Sequence, residues 1–138
     1  MRVLVDLNVI LDVLLDRAPH ADAASALWAA VEAGDAEGFL AAHAVTTLHY
    51  LAGRGQSRAF AERCVRDVLT VFAVAPVDRP VIDDALRLGG PDFEDAVTIA
   101  AAARSGCTLI VTRDRAGFKR SPVTCLDPAA ALAAIRSR

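Results

Sequence analysis

The sequence predicts a three-layer α/β domain in which a mainly parallel central sheet is flanked by helices. Short apolar runs alternate with longer segments of helical periodicity from one end of the chain to the other. The late run at residues 107–112 is apolar on both faces, which is typical of a central strand in a parallel sheet. At 138 residues, the chain has the length of one domain, so we expect residues 1–138 to form a single unit.

Five runs have the length and apolar content of strands, and each is followed by a helical segment. The predicted strands are 2–5, 37–41, 74–77, 107–112 and 123–126. Repeated strand–helix units of this kind form a parallel sheet, because each helix returns the chain to the end of the sheet where the previous strand began, so that the next strand runs in the same direction.

Helical periodicity and end signals define the remaining segments. The predicted helices are 7–16, 20–33, 43–52, 56–72, one that starts at Asp78, 92–105, and one from Asp127 to about residue 135. Asp78 is an expected N-cap, because Pro80 follows it in the first turn. Gly34 and Gly106 are expected to close the helices that precede them.

Composition excludes several classes of function. Hydrophobic residues make up 54% of the chain and aromatic residues 5%, so we expect a core of Ala, Val and Leu. The net charge is −2 and the pI is near 5.9, which excludes a global basic field for nucleic acid. No apolar run approaches the ~18–20 residues of a membrane span, and the N-terminus lacks the layout of a signal peptide. We therefore expect a cytoplasmic protein without a membrane partner.

Three cysteines are too few and too irregularly spaced for a disulfide framework or a zinc knuckle. Cys64, Cys107 and Cys125 share no CxxC spacing. We expect Cys107 and Cys125 to be small buried thiols in apolar runs.

Carboxylates occur where predicted strands end or helices begin. Asp6 ends the first strand, Asp114 ends the strand at 107–112, and Asp92 and Asp95 lie three residues apart in the first turn of a helix. Ligands of open parallel sheets bind at the carboxyl ends of the strands.

Each aspartate alone is explained as well by capping or by a turn, but the set is harder to explain in this way. Clustered carboxylates repel one another unless a cation neutralises them. Ligands that are all oxygen suit Mg²⁺ or Mn²⁺. Such a site can activate water and stabilise the charge on a phosphodiester.

Two segments resemble a known family. Residues 3–8 (VLVDLN) resemble the opening of PIN-domain proteins, especially the VapC-like ribonuclease toxins of toxin–antitoxin pairs. Residues 92–114 (DFEDAVTIAAAARSGCTLIVTRD) resemble the second half of that family, and residues 121–128 resemble its closing strand and helix cap. The resemblance covers nearly the whole chain, and the segment at 92–114 is its more specific motif.

The resemblance implies an activity and a set of residue roles. PIN domains are metal-dependent ribonucleases with three or four acidic residues around Mg²⁺ or Mn²⁺. By position in the motifs, Asp6, Asp95 and Asp114 are implied to be the metal ligands and the catalytic residues, Asp92 an accessory carboxylate, and Asn8 a hydrogen-bonding partner. The implied substrate is RNA, the implied partner is a cognate antitoxin, and homodimer formation is left open.

Two positions depart from the pattern of the family. Relatives usually carry a glutamate on the helix at 43–52, and the matching position here is taken to be His49, which we expect to be buried or to line the cleft. A buried histidine at this place either ligates metal, relays a proton or only packs in the core. Relatives often carry an Asp-Phe pair where this chain has Gly117 and Phe118.

Basic residues near these motifs have two explanations. They either contact RNA phosphates or form a solvated loop in a chain that uses Arg in preference to Lys. They are Arg54, Arg58, Arg113, Arg115, Lys119 and Arg120.

Two other classes of function are weighed against a ribonuclease. The first is a weak or inactive PIN domain that acts by binding RNA or a protein partner, which the position of His49 supports. The second is a different α/β phosphate enzyme or a receiver domain. The sequence argues against that class. Asp6-Leu7-Asn8 lacks the second aspartate of the Asp-x-Asp pair found in haloacid-dehalogenase-like phosphatases, and there is no phosphate-binding glycine loop.

Overall fold

The computed structural model describes residues 1–138 and contains one five-stranded sheet in which every pair of neighbouring strands is parallel. The strands are β1 (Arg2–Val5), β2 (Glu37–Ala41), β3 (Ala73–Ala75), β4 (Leu109–Val111) and β5 (Thr124–Leu126). Their order in the sheet is β3-β2-β1-β4-β5, so β1 is central. The register places Leu4 opposite both Phe39 and Ile110. The predicted α/β class with a parallel sheet is confirmed.

Seven α-helices connect and cover the strands. They are α1 (Leu7–Leu14), α2 (Ala21–Glu32), α3 (Ala42–Gly53), α4 (Arg58–Val71), α5 (Arg79–Leu88), α6 (Phe93–Arg104) and α7 (Pro128–Arg136). A short 3₁₀ helix (Arg115–Phe118) follows β4 and was not predicted. None of the helices is long and apolar enough to cross a membrane.

The central strand contributes to two hydrophobic clusters, one on each face of the sheet. Val3 and Val5 belong to a cluster of 20 buried residues, which also includes residues of α1, α2, α3, α4 and α7. Leu4 belongs to a second cluster of 15 buried residues, which includes residues of α5 and α6. Burial on both faces explains why Val3–Val5 of β1 and all of β4 are continuously apolar in the sequence.

Three predicted strands are shorter or shifted in the structure. The strand predicted at 107–112 is β4 at Leu109–Val111, the one predicted at 74–77 is β3 at Ala73–Ala75, and the one predicted at 123–126 is β5 at Thr124–Leu126. The residues on either side of β4 each make one backbone hydrogen bond to the neighbouring strands. The Thr108 amide donates to the Arg2 carbonyl of β1, and the Thr112 amide donates to the Leu126 carbonyl of β5, both at 2.9 Å. The apolar run therefore extends beyond the regular ladder.

Side-chain caps fix where several helices begin. Asp78 accepts a hydrogen bond from the Val81 amide at 3.3 Å, and Asp127 accepts one from the Ala130 amide at 2.8 Å. Such a cap typically contributes about 1 kcal/mol to stability. The predicted N-cap at Asp78 is confirmed.

The three cysteines are free thiols within the fold. Cys64 and Cys107 are buried and Cys125 is half-buried. Burial raises the pKa of Cys107 to about 11, so this side chain stays a neutral thiol at physiological pH. The expectation of a buried thiol is confirmed for Cys107, whereas Cys125 is only half-buried.

Candidate active site

An open groove of about 390 Å³ lies at the carboxyl edge of the sheet, where β1 and β4 end. Its wall comes from four parts of the chain: α1 with the residues around it, α3, the start of α6, and the segment after β4. The lining residues are Asp6, Leu7, Asn8, Leu11, Arg17, Thr47, Leu51, Asp92, Glu94, Asp95, Arg113 and Asp114. The four aspartates singled out in the sequence thus line one groove.

Asp6 connects the central strand, the first helix and the segment after β4. Its amide donates to the Val111 carbonyl at 2.9 Å, which continues the pairing of β1 with β4. Its Oδ1 accepts a bond from the Leu7 amide at 2.8 Å, and its Oδ2 accepts one from the Thr112 hydroxyl at 2.8 Å. Burial raises the pKa of Asp6 above its ordinary value, although both hydrogen bonds oppose the change. Asp6 therefore caps α1 and also presents a carboxylate to the groove.

Asp92 and Asp95 occupy the start of α6. Asp92 is the N-cap of this helix, since its Oδ1 accepts a bond from the Asp95 amide at 3.1 Å. The pKa of Asp95 is raised to about 7, first by burial and then by the nearby negative charges of Asp92, Asp6 and Asp114. Asp95 thus lies in a partly buried position where other negative charges converge, which is common for groups in functional sites.

Asp114 is exposed, as Asp92 is. Its amide donates to the Thr112 hydroxyl at 3.1 Å, and this hydroxyl in turn donates to Asp6. Thr112 is fully buried and thus couples the end of β4 to the end of β1.

Gly117, in the 3₁₀ helix after Asp114, gives the Asp95 carboxylate its space. A Cβ atom at this position would overlap Oδ2 of Asp95 and would lie 3.2 Å from Cγ of Asp95 and 3.8 Å from Oδ2 of Asp114. The absence of a side chain at Gly117 therefore leaves a small cradle between two carboxylates that belong to different elements.

The donor chemistry suits a hard divalent cation. The groups around the cradle are oxygen donors, and a cation would lower the raised pKa values of Asp6 and Asp95 by neutralising their charge. As the side chains stand, no three acidic, histidine or cysteine groups are close enough together to ligate one ion. The residues fit a metal in type and charge, and binding would require the flexible carboxylates to converge.

The prediction for His49 is wrong. His49 is exposed on α3 and is not part of the groove wall, whereas Thr47 lies in that wall. The buried stripe of α3 consists of Ala44, Leu48 and Ala52. Residues on either side of such a stripe point in different directions, so Thr47 turns toward the aspartates and His49 toward solvent.

Sequence reasoning also missed several polar residues of the site. Glu94 lines the groove beside Asp95, and a small cavity behind these carboxylates is lined by His43 from the first turn of α3. Oδ1 of Asn8 and Nδ1 of His43 are buried without a hydrogen-bond partner. The adjacency of Glu94 to Asp95 was a readable signal, but nothing in the sequence distinguished His43.

The basic residues separate into two groups. Arg113 lines the groove, together with Arg17 from the segment after α1, which the sequence did not single out. Lys119 and Arg120 line a neighbouring cavity of about 240 Å³, which also contains Asp92 and Gly117. Of the basic residues predicted from the sequence, Arg113 is therefore the one that lines the groove of the four aspartates.

Comparison with known proteins places the chain in a family. The PIN domain family model matches residues 2–116. A search of curated protein sequences gives no match.

Solved structures share the fold at low sequence identity. FitAcB from Neisseria gonorrhoeae is 21% identical, with a TM-score of 0.73 over 91% of this chain and 97% of that chain. VapBC2 from Rickettsia felis, bound to a DNA fragment from its promoter, is 12% identical, with a TM-score of 0.72 over 92% and 98%. VapC20 from Mycobacterium tuberculosis, a toxin that cleaves the sarcin-ricin loop, is 18% identical, with a TM-score of 0.65 over 78% and 86%. The family model and the shared fold together show that this chain belongs to the PIN-domain family.

Proposed function

We propose that the protein is a divalent-metal-dependent endoribonuclease and that Asp6, Asp95 and Asp114 are its metal ligands and catalytic residues. The observation that carries the proposal is the convergence of these aspartates on one groove, with the pKa of Asp95 raised to about 7. Membership of the PIN-domain family, whose members are nucleases, supports the same conclusion.

Mg²⁺ or Mn²⁺ is the proposed cofactor, since the groove offers only hard oxygen donors. A bound ion supplies charge neutralisation at the phosphodiester and lowers the pKa of a water molecule. The side chains of Asp6, Asp95 and Asp114 would hold it, and Thr112 and the Leu7 amide keep the Asp6 carboxylate in place. Asp95, once ionised, adds the charge that the cluster needs to hold a cation.

Cleavage of RNA by the purified protein tests this proposal. Wild type is expected to cleave RNA with Mg²⁺ or Mn²⁺ and to lose that activity in EDTA, and Asp95→Asn is expected to be inactive while still folded. Asp67→Asn is a matched control, because Asp67 is exposed on α4 and lines no part of the groove. Equal cleavage by wild type and Asp95→Asn would show that the activity belongs to a contaminant.

We further propose that the protein is the toxin of a toxin–antitoxin pair and is silenced by a cognate antitoxin. The likeness to VapC20 and to VapBC2 supports this assignment. Expression in Escherichia coli should arrest growth, and Asp95→Asn should relieve the arrest. Unimpaired growth with active, soluble wild-type enzyme in the cells would contradict the toxin role.

A PIN domain that acts only by binding is the second candidate. It is favoured by the uncharged Thr47 in the wall where α3 faces the aspartates, and by Gly117, which carries no carboxylate. RNA binding without metal-dependent cleavage would favour this candidate over the enzyme.

A further inference from the structure

Two arginines in the wall of the groove share one buried carboxylate. Asp12, on α1, is fully buried. Its Oδ1 accepts a bond from Nε of Arg17 at 2.9 Å, and its Oδ2 accepts one from Nε of Arg113 at 2.8 Å. Arg113 is held a second time, because its Nη2 donates to Oδ1 at 3.3 Å. Arg17 is also held a second time, through a 3.0 Å bond from its Nη2 to the Asn8 carbonyl.

One arginine would be enough to neutralise the charge of the buried Asp12 carboxylate. One guanidinium neutralises Asp12, so the group as a whole carries a surplus positive charge. The side chains of Arg17 and Arg113 are 38% and 33% exposed, respectively, and both line the groove. Each guanidinium has five N–H donors, of which Asp12 and Asn8 use only two. The remaining donors are available to a ligand.

The charges around these arginines indicate what that ligand is. A phosphodiester that enters the groove meets five carboxylates, at Asp6, Asp92, Glu94, Asp95 and Asp114, and Arg17 and Arg113 are the two cationic side chains of the wall. Guanidinium groups with fixed orientation bind phosphate oxygens in pairs, and less conformational entropy is lost because the side chains are already ordered.

We propose that Arg17 and Arg113 form a phosphate-binding pair that holds the backbone of single-stranded RNA along the carboxylate groove, with Asp12 as the residue that positions both guanidiniums. The choice of RNA as the ligand rests on the proposed function. The pair lies beside Asp6 and Asp114, so the phosphate it binds is close to the one that would be cleaved.

Binding of a short 2′-O-methyl oligoribonucleotide, followed by fluorescence anisotropy over a series of salt concentrations at fixed low Mg²⁺, tests the pair. A gel after each titration checks that the oligonucleotide is intact. Arg113→Gln should weaken binding roughly tenfold and should make the salt dependence shallower by up to about 0.7 in logarithmic slope. Arg113→Lys keeps the charge but loses the rigid, planar set of guanidinium donors. It should therefore retain the salt slope and weaken binding less than Arg113→Gln does.

Arg66→Gln is the control, because Arg66 is exposed on α4 and lines no part of the groove. It removes the same charge and should change neither affinity nor slope by a comparable amount. Asp12→Asn should weaken oligonucleotide binding although it removes a negative charge, because both guanidiniums lose the carboxylate that orients them. In the wild type, the Nε–H resonances of Arg17 and Arg113 should shift when the oligonucleotide is added, and this readout needs no variant.

The outcomes separate this proposal from the proposed function. If Arg113→Gln and Arg66→Gln bind alike, or if the wild type binds no oligonucleotide, the phosphate-binding pair is refuted whether or not the protein cleaves RNA. If binding depends on Arg113 but RNA is not cleaved with metal, the pair is supported and the nuclease assignment fails.

Discussion

The Thr112 hydroxyl donates a 2.8 Å hydrogen bond to Oδ2 of Asp6 and accepts one of 3.1 Å from the amide of Asp114. One buried hydroxyl thus fixes the positions of two of the proposed metal ligands, which are separated by most of the chain. Partners of this kind orient ligands and tune their affinity.

Replacement of Thr112 tests that relationship. Thr112→Val should lower the affinity for Mn²⁺ by roughly 10–100-fold, because the Asp6 carboxylate and the Asp114 amide both lose their partner. Thr112→Ser keeps the hydroxyl and should retain most of the affinity. Isothermal titration calorimetry measures both. Equal metal affinity in the Val and Ser variants would show that the hydroxyl does not orient the ligands.

The raised pKa of Asp95 predicts how stability depends on pH in the absence of metal. Its value rises from 3.8 to about 7, so the folded state binds this proton more tightly than the unfolded state does. The resulting stabilisation is complete below about pH 4 and is lost as the pH rises toward 7. The Tm in EDTA should therefore fall across that window, and the fall should be smaller in Asp95→Asn. Identical pH profiles for the two proteins would contradict a raised pKa at Asp95.

Metal should reverse that dependence. A cation favours the ionised carboxylates, so the increase in Tm produced by Mg²⁺ should be larger at pH 8 than at pH 5. Thermal unfolding with and without Mg²⁺ at the two pH values measures the difference. A Tm increase that is the same at both pH values would place metal binding away from Asp95.

Gly117 is expected to be required for metal binding rather than for stability. In Gly117→Ala the new methyl group overlaps Oδ2 of Asp95, so metal affinity should fall while the Tm in EDTA changes little. Gly38→Ala is the opposite case, because its Cβ would lie 2.6 Å from Val31 and 2.7 Å from Phe72 in the core. That variant should lose about 1–3 kcal/mol of stability and keep its metal site. If Gly117→Ala kept its metal affinity and Gly38→Ala lost it, the space beside Gly117 would not be required for metal binding by Asp95.

Thr47 and His49 provide a matched pair on one helix. Thr47→Glu adds a carboxylate to the groove wall, so it should tighten Mg²⁺ binding severalfold and lower the Tm in EDTA, since the new charge adds to the repulsion. His49→Glu adds the same group at an exposed position and should do neither. Calorimetry and thermal unfolding distinguish them. If His49→Glu tightens binding and Thr47→Glu does not, the orientation of α3 in solution differs from that described above.

Sequence predicted the sheet and its aspartates because those signals are local. The apolar run before Asp6 identifies a buried strand, and the spacing of Asp92 and Asp95 identifies a helix start, without reference to the rest of the molecule. The facing residue of α3 was mispredicted, because its identity depends on the rotation of the helix about its axis, and an error of two residues turns a side chain through about 200°. The sharing of Asp12 by Arg17 and Arg113 was equally inaccessible, because it depends on a contact between residues 101 positions apart.

The strand order has a consequence for synthesis. β1 (Arg2–Val5) leaves the ribosome about a hundred residues before β4 (Leu109–Val111), so the pairing of these two strands at the groove waits until β4 has been made. Asp95 and Asp114 emerge equally late. The carboxylate groove is therefore assembled only after Asp114 has been made. For a protein proposed to cut RNA, this order means that the nascent chain has no complete site until that residue has left the ribosome.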